Sequence, residues 1–207
     1  MSATETALPE VLVEREAHQG SFCGREALLR DVDARLDDDA GGFLLLLAGP
    51  GEGKTALACA LADRHDAPLH LVGSHRSPAR FVPALLAQAR SRAGSGPGPA
   101  DFVGDLDDLR GALVTELGRL ASARGRAVVV IDTLDELHDP AALAFLPIHL
   151  PRAVHVVLTA RPDRSIVAAT RDRVARLTKL AVPPLDVADV RAIAAHRGGG
   201  RTLPIPA

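Results

Sequence analysis

Aromatic residues are nearly missing from this chain: they make up 2% of its 207 residues, as five Phe with neither Trp nor Tyr. That scarcity argues against a single-stranded nucleic-acid reader that stacks bases on exposed rings, and it requires a core of Leu, Val, Ile and Ala. Cysteine is scarce too. Cys23 and Cys59 make no disulfide framework, and no Cys-x-x-Cys or Cys/His cluster of zinc spacing occurs. A reducing compartment is the default for such a chain. Apolar runs such as Phe43 to Ala48 are far too short to span a bilayer, and the start Met-Ser-Ala-Thr-Glu-Thr lacks the basic and apolar regions of a signal peptide. A soluble, cytoplasmic protein with no membrane partner is expected. Charge of one sign is also absent in excess: Lys+Arg 24 against Asp+Glu 26 gives a net charge of −2 and no global attraction to nucleic acid, which is a disfavoured partner with a local basic patch left open.

At this length one domain can bury roughly 70% of the surface its unfolded chain exposes, so neither disulfides nor metal are needed for a core. The pattern divides the chain into a flexible leader (1–20), a core (21–182) and a last segment (183–207). The acidic leader contains Pro9 and has no sustained period. From Arg25, Leu28, Leu29, Val32 and Leu36 recur at helical spacing, and the acidic run Asp37-Asp38-Asp39 reads as a solvated turn. Strands are expected at Phe43 to Ala48, Pro68 to Val72, Ala127 to Ile131, Ala153 to Thr159 and, more weakly, Val174 to Leu180. Helices are expected over Ala56 to Ala62 and Arg80 to Arg92, along the face Leu106, Leu109, Leu113, Leu117 and Leu120, and around Val187, Val190, Ile193 and Ala194. Strands alternating with helices indicate an α/β domain with a mainly parallel sheet covered on both faces.

Between the first strand and its helix lies Ala48-Gly49-Pro50-Gly51-Glu52-Gly53-Lys54-Thr55, followed by Ala56. This is a P-loop: glycines let successive N–H groups converge on phosphate oxygens, Lys54 supplies a point charge for the β and γ phosphates, and Thr55 offers a hydroxyl to Mg²⁺. Ala48 stands where the pattern has its first Gly, a position that closes the strand rather than cradling phosphate. A P-loop also needs a carboxylate at the tip of a neighbouring strand to hold the water shell of Mg²⁺. Asp132 at the end of Val128-Val129-Val130-Ile131 meets that need, so Thr55 and Asp132 form the expected metal site. Asp135 and Glu136 follow, and either could orient an attacking water or cap a helix ahead of Leu137. Arg161, beyond the strand that ends at Thr159, is placed to read the γ-phosphate; the alternative is a plain pair with Asp163 or Asp132.

Phe22-Cys23-Gly24-Arg25-Glu26-Ala27-Leu28 resembles the Phe-x-Gly-Arg-Glu-x-x-Leu signature of signal-transduction ATPases of the STAND class, relatives of the NACHT and apoptotic ATPases. Asp132-Thr133-Leu134-Asp135-Glu136 is similar to their Walker B variant, and Thr159-Ala160-Arg161-Pro162 to their Thr-Ser-Arg-Pro sensor. The resemblance covers Phe22 to His196, with the AAA+ ATPases as the nearest broader relatives. It implies a three-layer P-loop NTPase domain with a five-stranded sheet in the order 5-1-4-3-2 and the start of a helical lid. ATP would lie at the carboxyl ends of strands one and three, with Gly24 and Arg25 lining the adenine side beside Cys23. Pro184 and Leu185 match the Pro-Leu pair that leads into the lid helices, where the resemblance implies that apolar side chains flank the adenine.

The resemblance implies an ATP- and Mg²⁺-dependent signalling switch that binds ATP or ADP, self-associates or works through a fused or recruited effector, and hydrolyses ATP slowly. Thr133 stands where fast members of the superfamily carry Glu, and the resemblance implies a helical lid of which this sequence holds only the start. Alternatives are an AAA+-like motor or loader acting on protein or DNA, for which Arg171 and Arg173 are the candidate arginine fingers, and a nucleotide-binding module without turnover. A small-molecule P-loop kinase ranks below these, because the Gly-Arg-Glu and Thr-Ala-Arg-Pro elements have no role there. His65, His70, His75, His149, His155 and His196 have no metal spacing, and Cys59 reads as core packing beside Leu57 and Leu61.

Overall fold

The computed structural model describes residues 13, 15–16, 22–73, 76–96, 104–137 and 139–197. Nearly all of the leader, the residues from 198 onward and His75 lie outside these. In chain order the elements are α1 (Glu26–Leu36), β1 (Gly42–Leu47), α2 (Lys54–Arg64), β2 (Leu69–Leu71), α3 (Pro78–Ala93), α4 (Leu106–Arg124), β3 (Ala127–Asp132), β4 (Val154–Ala160), α5 (Arg164–Arg173), β5 (Leu177–Ala181) and α6 (Val187–Arg197). Two 3-10 turns, Leu134–Leu137 and Pro140–Phe145, join β3 to β4. No helix among the described residues is long and apolar enough to cross a membrane.

All strand pairs are parallel, and the sheet order β2-β3-β4-β1-β5 is the expected 5-1-4-3-2 read from its other edge. Continuous apolar strands are what a sheet covered on both faces requires. Along β1, Phe43 and Leu45 pack with α3 and α4, while Leu44 and Leu46 pack with α1 and α2. The same alternation puts Val129 and Ile131 of β3 on one face and Val128 and Val130 on the other. Two aliphatic cores result, one under α1 and α2 and the other under α3, α4 and α5. In the second, His70, stacked on Phe81 at 4.2 Å between centroids, and Phe145, edge-on to Phe81 at 4.9 Å, form the one aromatic cluster among the described residues.

The edge strand β2 is only three residues long and is completed by a side chain. Gln88 of α3 accepts the Leu69 N–H and donates to the Leu69 carbonyl, both at 3.0 Å, so the buried amide acts as an added rung. At α4 the start is fixed by a capping box between Asp105 and Asp108.

Two sequence expectations change and a third is extended. Helix α5 carries too weak an apolar stripe to be visible in the sequence; only Ile166 and Thr170 are buried, and Asp163 caps it through the N–H groups of Ser165 and Ile166. Its presence moves β5 from Val174 to a start at Leu177, with Val174 ending the helix through an N–H bond to Thr170. The acidic run is more than a solvated turn: Asp37, Asp38 and Asp39 face Arg126, Arg176 and Arg152 at 2.5, 3.6 and 3.8 Å, from three separate segments. Those acids stay largely exposed, so the pairs orient the amino end of the sheet more than they stabilise it. Arg126 also lies 3.4 Å from His65 Nδ1, and buried His155 stands in its field.

Candidate functional site

Parallel register brings the carboxyl ends of β1, β3 and β4 to one edge, with Leu47 paired to Ala160 and Ile131 to Leu158. The ends of three strands thus deliver the P-loop, Asp132 and Arg161 to the same side.

 Ala48 extends the parallel pairing of β1 with an N–H bond to the Ala160 carbonyl at 3.1 Å, so the position that lacks the first glycine serves the sheet. Gly51 and Gly53 then turn the chain at φ +76°, the left-handed region where glycine carries no steric penalty. Helix α2 begins at Lys54, so the N–H groups of its first turn face the loop. The Lys54 ammonium is almost wholly buried and donates to the carbonyls of Ala48 at 3.1 Å and Gly49 at 2.8 Å, folding the loop around itself. Glu52 reaches back inside the loop and accepts the Gly49 N–H, while Pro50 is exposed on the outer side. Ala56 follows Thr55 in the first turn of α2.

Asp132 is 1% exposed and is surrounded by hydroxyls. Thr55 donates to its Oδ2 at 2.8 Å, Thr133 donates to the same oxygen at 3.2 Å, and Thr159 donates to Oδ1. Three donors compensate the burial of the carboxylate. Thr159 also accepts the Thr133 N–H at 2.9 Å, which holds Thr133 at φ +57°. A β-branched residue in that region is strained, and the two bonds made by Thr133 offset the strain. Thr159 is thus a site residue whose role its motif alone does not reveal; its signal is a polar residue next to the end of a buried strand in which His155 is the other polar position.

Beyond this group, Asp135 accepts the Arg161 N–H at 2.9 Å and pairs with its guanidinium at 3.3 Å. The sequence alternatives for Arg161 were Asp163 and Asp132; the partner is Asp135 instead, because the 3-10 turn after β3 swings that carboxylate over the end of β4. Glu136 is less tightly held, with Arg76 at 3.7 Å. Arg76, from the segment after β2, was not singled out in the sequence. These two acids, Arg76, Arg161, Pro162 and Asp163 line an open cleft of about 580 Å³. Arg173, one of the candidate arginine fingers, is engaged within the chain: it donates to the carbonyls of Leu146 and Ala144, both at 2.8 Å. Arg171 lies exposed beside Asp172 at 3.1 Å.

On the opposite flank Gly24 (φ +83°) and Arg25 (φ +59°) form a left-handed pair ahead of α1. Asp186 and Asp189 cap α6 by reciprocal bonds, and Asp189 Oδ1 also accepts the Arg25 N–H at 2.6 Å. A side chain on Gly24 would come within 2.8 Å of that same oxygen, so the position needs glycine. The Arg25 side chain is 6% exposed. Burial pulls its guanidinium below its ordinary value, and the charges of Asp189 and Glu52 oppose the shift. Pro184 and Leu185 are exposed in the segment between β5 and α6, and the hydrogen bond that ties this region to the Gly-Arg pair comes from Asp189.

The strand order, the glycine loop between β1 and α2, and Asp132 at the tip of β3 decide the architecture. The fold is that of a P-loop NTPase. No protein-family model matches the chain, and a search of the curated proteins finds no match. Among solved structures the chain is similar to Drosophila ORC bound to GC-rich DNA and Cdc6, at 13% identity and TM-score 0.46, covering 88% of this chain and 61% of that one. It is also similar to Drosophila ORC bound to AT-rich DNA and Cdc6, at 13% identity and TM-score 0.44, covering 83% and 56%. A third similar structure is C. elegans PCH-2, at 18% identity and TM-score 0.43, covering 84% and 48%. The chain spans less than two thirds of each of those chains.

Proposed function

We propose that this chain binds ATP with Mg²⁺ at the P-loop and hydrolyses it slowly, as a nucleotide-dependent signalling switch of the STAND class. The observation that carries the reading is the 2.8 Å bond between the Thr55 hydroxyl and buried Asp132, which joins the P-loop to the tip of β3. Hydroxyl and carboxylate oxygens are hard ligands that suit Mg²⁺ and leave room for its waters. Bound there, Mg²⁺ supplies charge neutralisation to the β and γ phosphates. Lys54 and the amides of Gly51, Glu52 and Gly53 bind the phosphate chain, and Gly24 and Arg25 lie on the adenine side.

The slow rate is read from Thr133, which follows Asp132 with a hydroxyl already bonded to it instead of a carboxylate. Asp135 is engaged by Arg161 through both backbone and side chain, which leaves Glu136 as the group to accept a proton from the attacking water. Arg161 is half exposed at the cleft and reports the γ-phosphate by exchanging Asp135 for it. Loss of that phosphate returns Arg161 to Asp135, and the change passes to an effector or a second copy of the chain. In this reading 21–182 is the NTPase core and 183–207 begins a lid. Glu136→Gln should lower turnover on the order of a hundredfold while leaving the Mg-ATP dissociation constant unchanged. Equal loss of both would refute the assignment of Glu136.

A further inference from the structure

Both backbone polar groups of Gly49 are held by side chains of its own loop, the carbonyl by Lys54 at 2.8 Å and the N–H by Glu52. The fit is close: a Cβ on Gly49 would lie 3.1 Å from both Cδ and Oε1 of Glu52. Glu52 therefore carries a carboxylate inside the phosphate loop itself, where an anion is meant to bind. Arg25 is a second cation in the field of that carboxylate and of Asp189, and its buried Nη1 has no hydrogen-bond partner. Asp189 is already occupied, with Oδ1 on the Arg25 N–H and Oδ2 on the Asp186 N–H. Within the loop the charge of Glu52 is set against that of Lys54, which holds the other backbone group of Gly49, so the positive charge the loop offers a phosphate chain is reduced.

We propose that Glu52 is a specificity-determining brake on the P-loop, a resident carboxylate, opposed by Arg25, that weakens binding in proportion to the charge of the incoming phosphate chain. The proposal rests on the P-loop being the nucleotide site. Like charges a few ångströms apart repel strongly where the surroundings are partly buried, and salt screens the effect. A triphosphate is penalised more than a diphosphate, and a monophosphate, which does not reach the loop with a β-phosphate, is hardly affected.

The test is equilibrium binding of Mg-ATP, Mg-ADP and AMP to the full chain, comparing wild type with Glu52→Gln, Glu52→Ala, Glu52→Asp and Lys54→Ala. Glu52→Gln keeps an oxygen for the Gly49 N–H and removes the charge. Its affinity for Mg-ATP should rise about tenfold at low salt, less for Mg-ADP and not for AMP, and the gain should shrink at high salt. Glu52→Ala should move in the same direction, while Glu52→Asp, which keeps the charge, should stay within about twofold of wild type. The brake is refuted if wild-type binding depends on Lys54 yet both neutral variants bind Mg-ATP no tighter, or if AMP gains equally. Binding that is indifferent to Lys54→Ala would remove the nucleotide-site reading, and the brake with it.

Discussion

Replacing Thr159 by Val keeps the shape of a fully buried side chain and deletes one hydroxyl that two groups depend on. Asp132 Oδ1 loses its donor, and the Thr133 N–H loses its acceptor. Asp132 is 1% exposed, so water cannot replace the lost bond. A hydrogen bond to a charged group is worth about 1.5–3 kcal/mol and one between neutral groups about 1 kcal/mol, which sets the expected loss near 3 kcal/mol. With a urea slope of about 2 kcal/mol per M, the unfolding midpoint should fall by about 1.5 M. Thr159→Ser retains the hydroxyl and should recover most of the loss. A valine variant whose midpoint stays within about 0.3 M of wild type would refute the view that Asp132 is held by this bond.

Other consequences follow from the same geometry. His65 and His155 are both held below their ordinary value, first by burial and then by the charge of Arg126. The unfolded chain therefore binds more protons, so their contribution is full above about pH 6.5 and is lost as pH falls through the lowered native values. The melting temperature should drop between pH 7.5 and 5.5, and the drop should be smaller in His155→Gln. Arg161→Ala should lower the ratio of Mg-ATP to Mg-ADP affinity by on the order of tenfold, and Asp135→Asn should raise it by releasing Arg161. Unaltered ratios in binding titrations would remove Arg161 as a sensor. Gln88→Leu should cost about 2 kcal/mol in urea unfolding by leaving the Leu69 amide and carbonyl buried and unpaired.

Strands β1 and β3 were legible because each is a continuous apolar run, and the P-loop because glycine, lysine and threonine stand at fixed spacing between a strand and a helix. Sheet order was reached through the resemblance, since nothing in a strand's own residues says which neighbour it pairs with. Helix α5 was hidden because its ten residues bury only Ile166 and Thr170. Partners across the fold were hidden for a different reason. Asp135 meets Arg161 across 26 positions and Arg25 meets Asp189 across 164, and neither pair leaves a local pattern. The role of Thr159 lies between these cases, visible as a polar residue in a buried strand but interpretable only once Thr133 was seen to bond to it.

The central claim is a working nucleotide site built on Lys54, Thr55 and Asp132. Thermal melting with Mg-ATP, Mg-ADP, Mg-GTP or no nucleotide, beside Lys54→Ala, tests it most directly. At a hundredfold over its dissociation constant a ligand adds about 2.7 kcal/mol, which for a chain of this size raises the melting temperature by about 5–10 °C. The account predicts such a shift with adenine nucleotides and its loss in Lys54→Ala. No shift in the wild-type chain, or an equal shift in the variant, would contradict it.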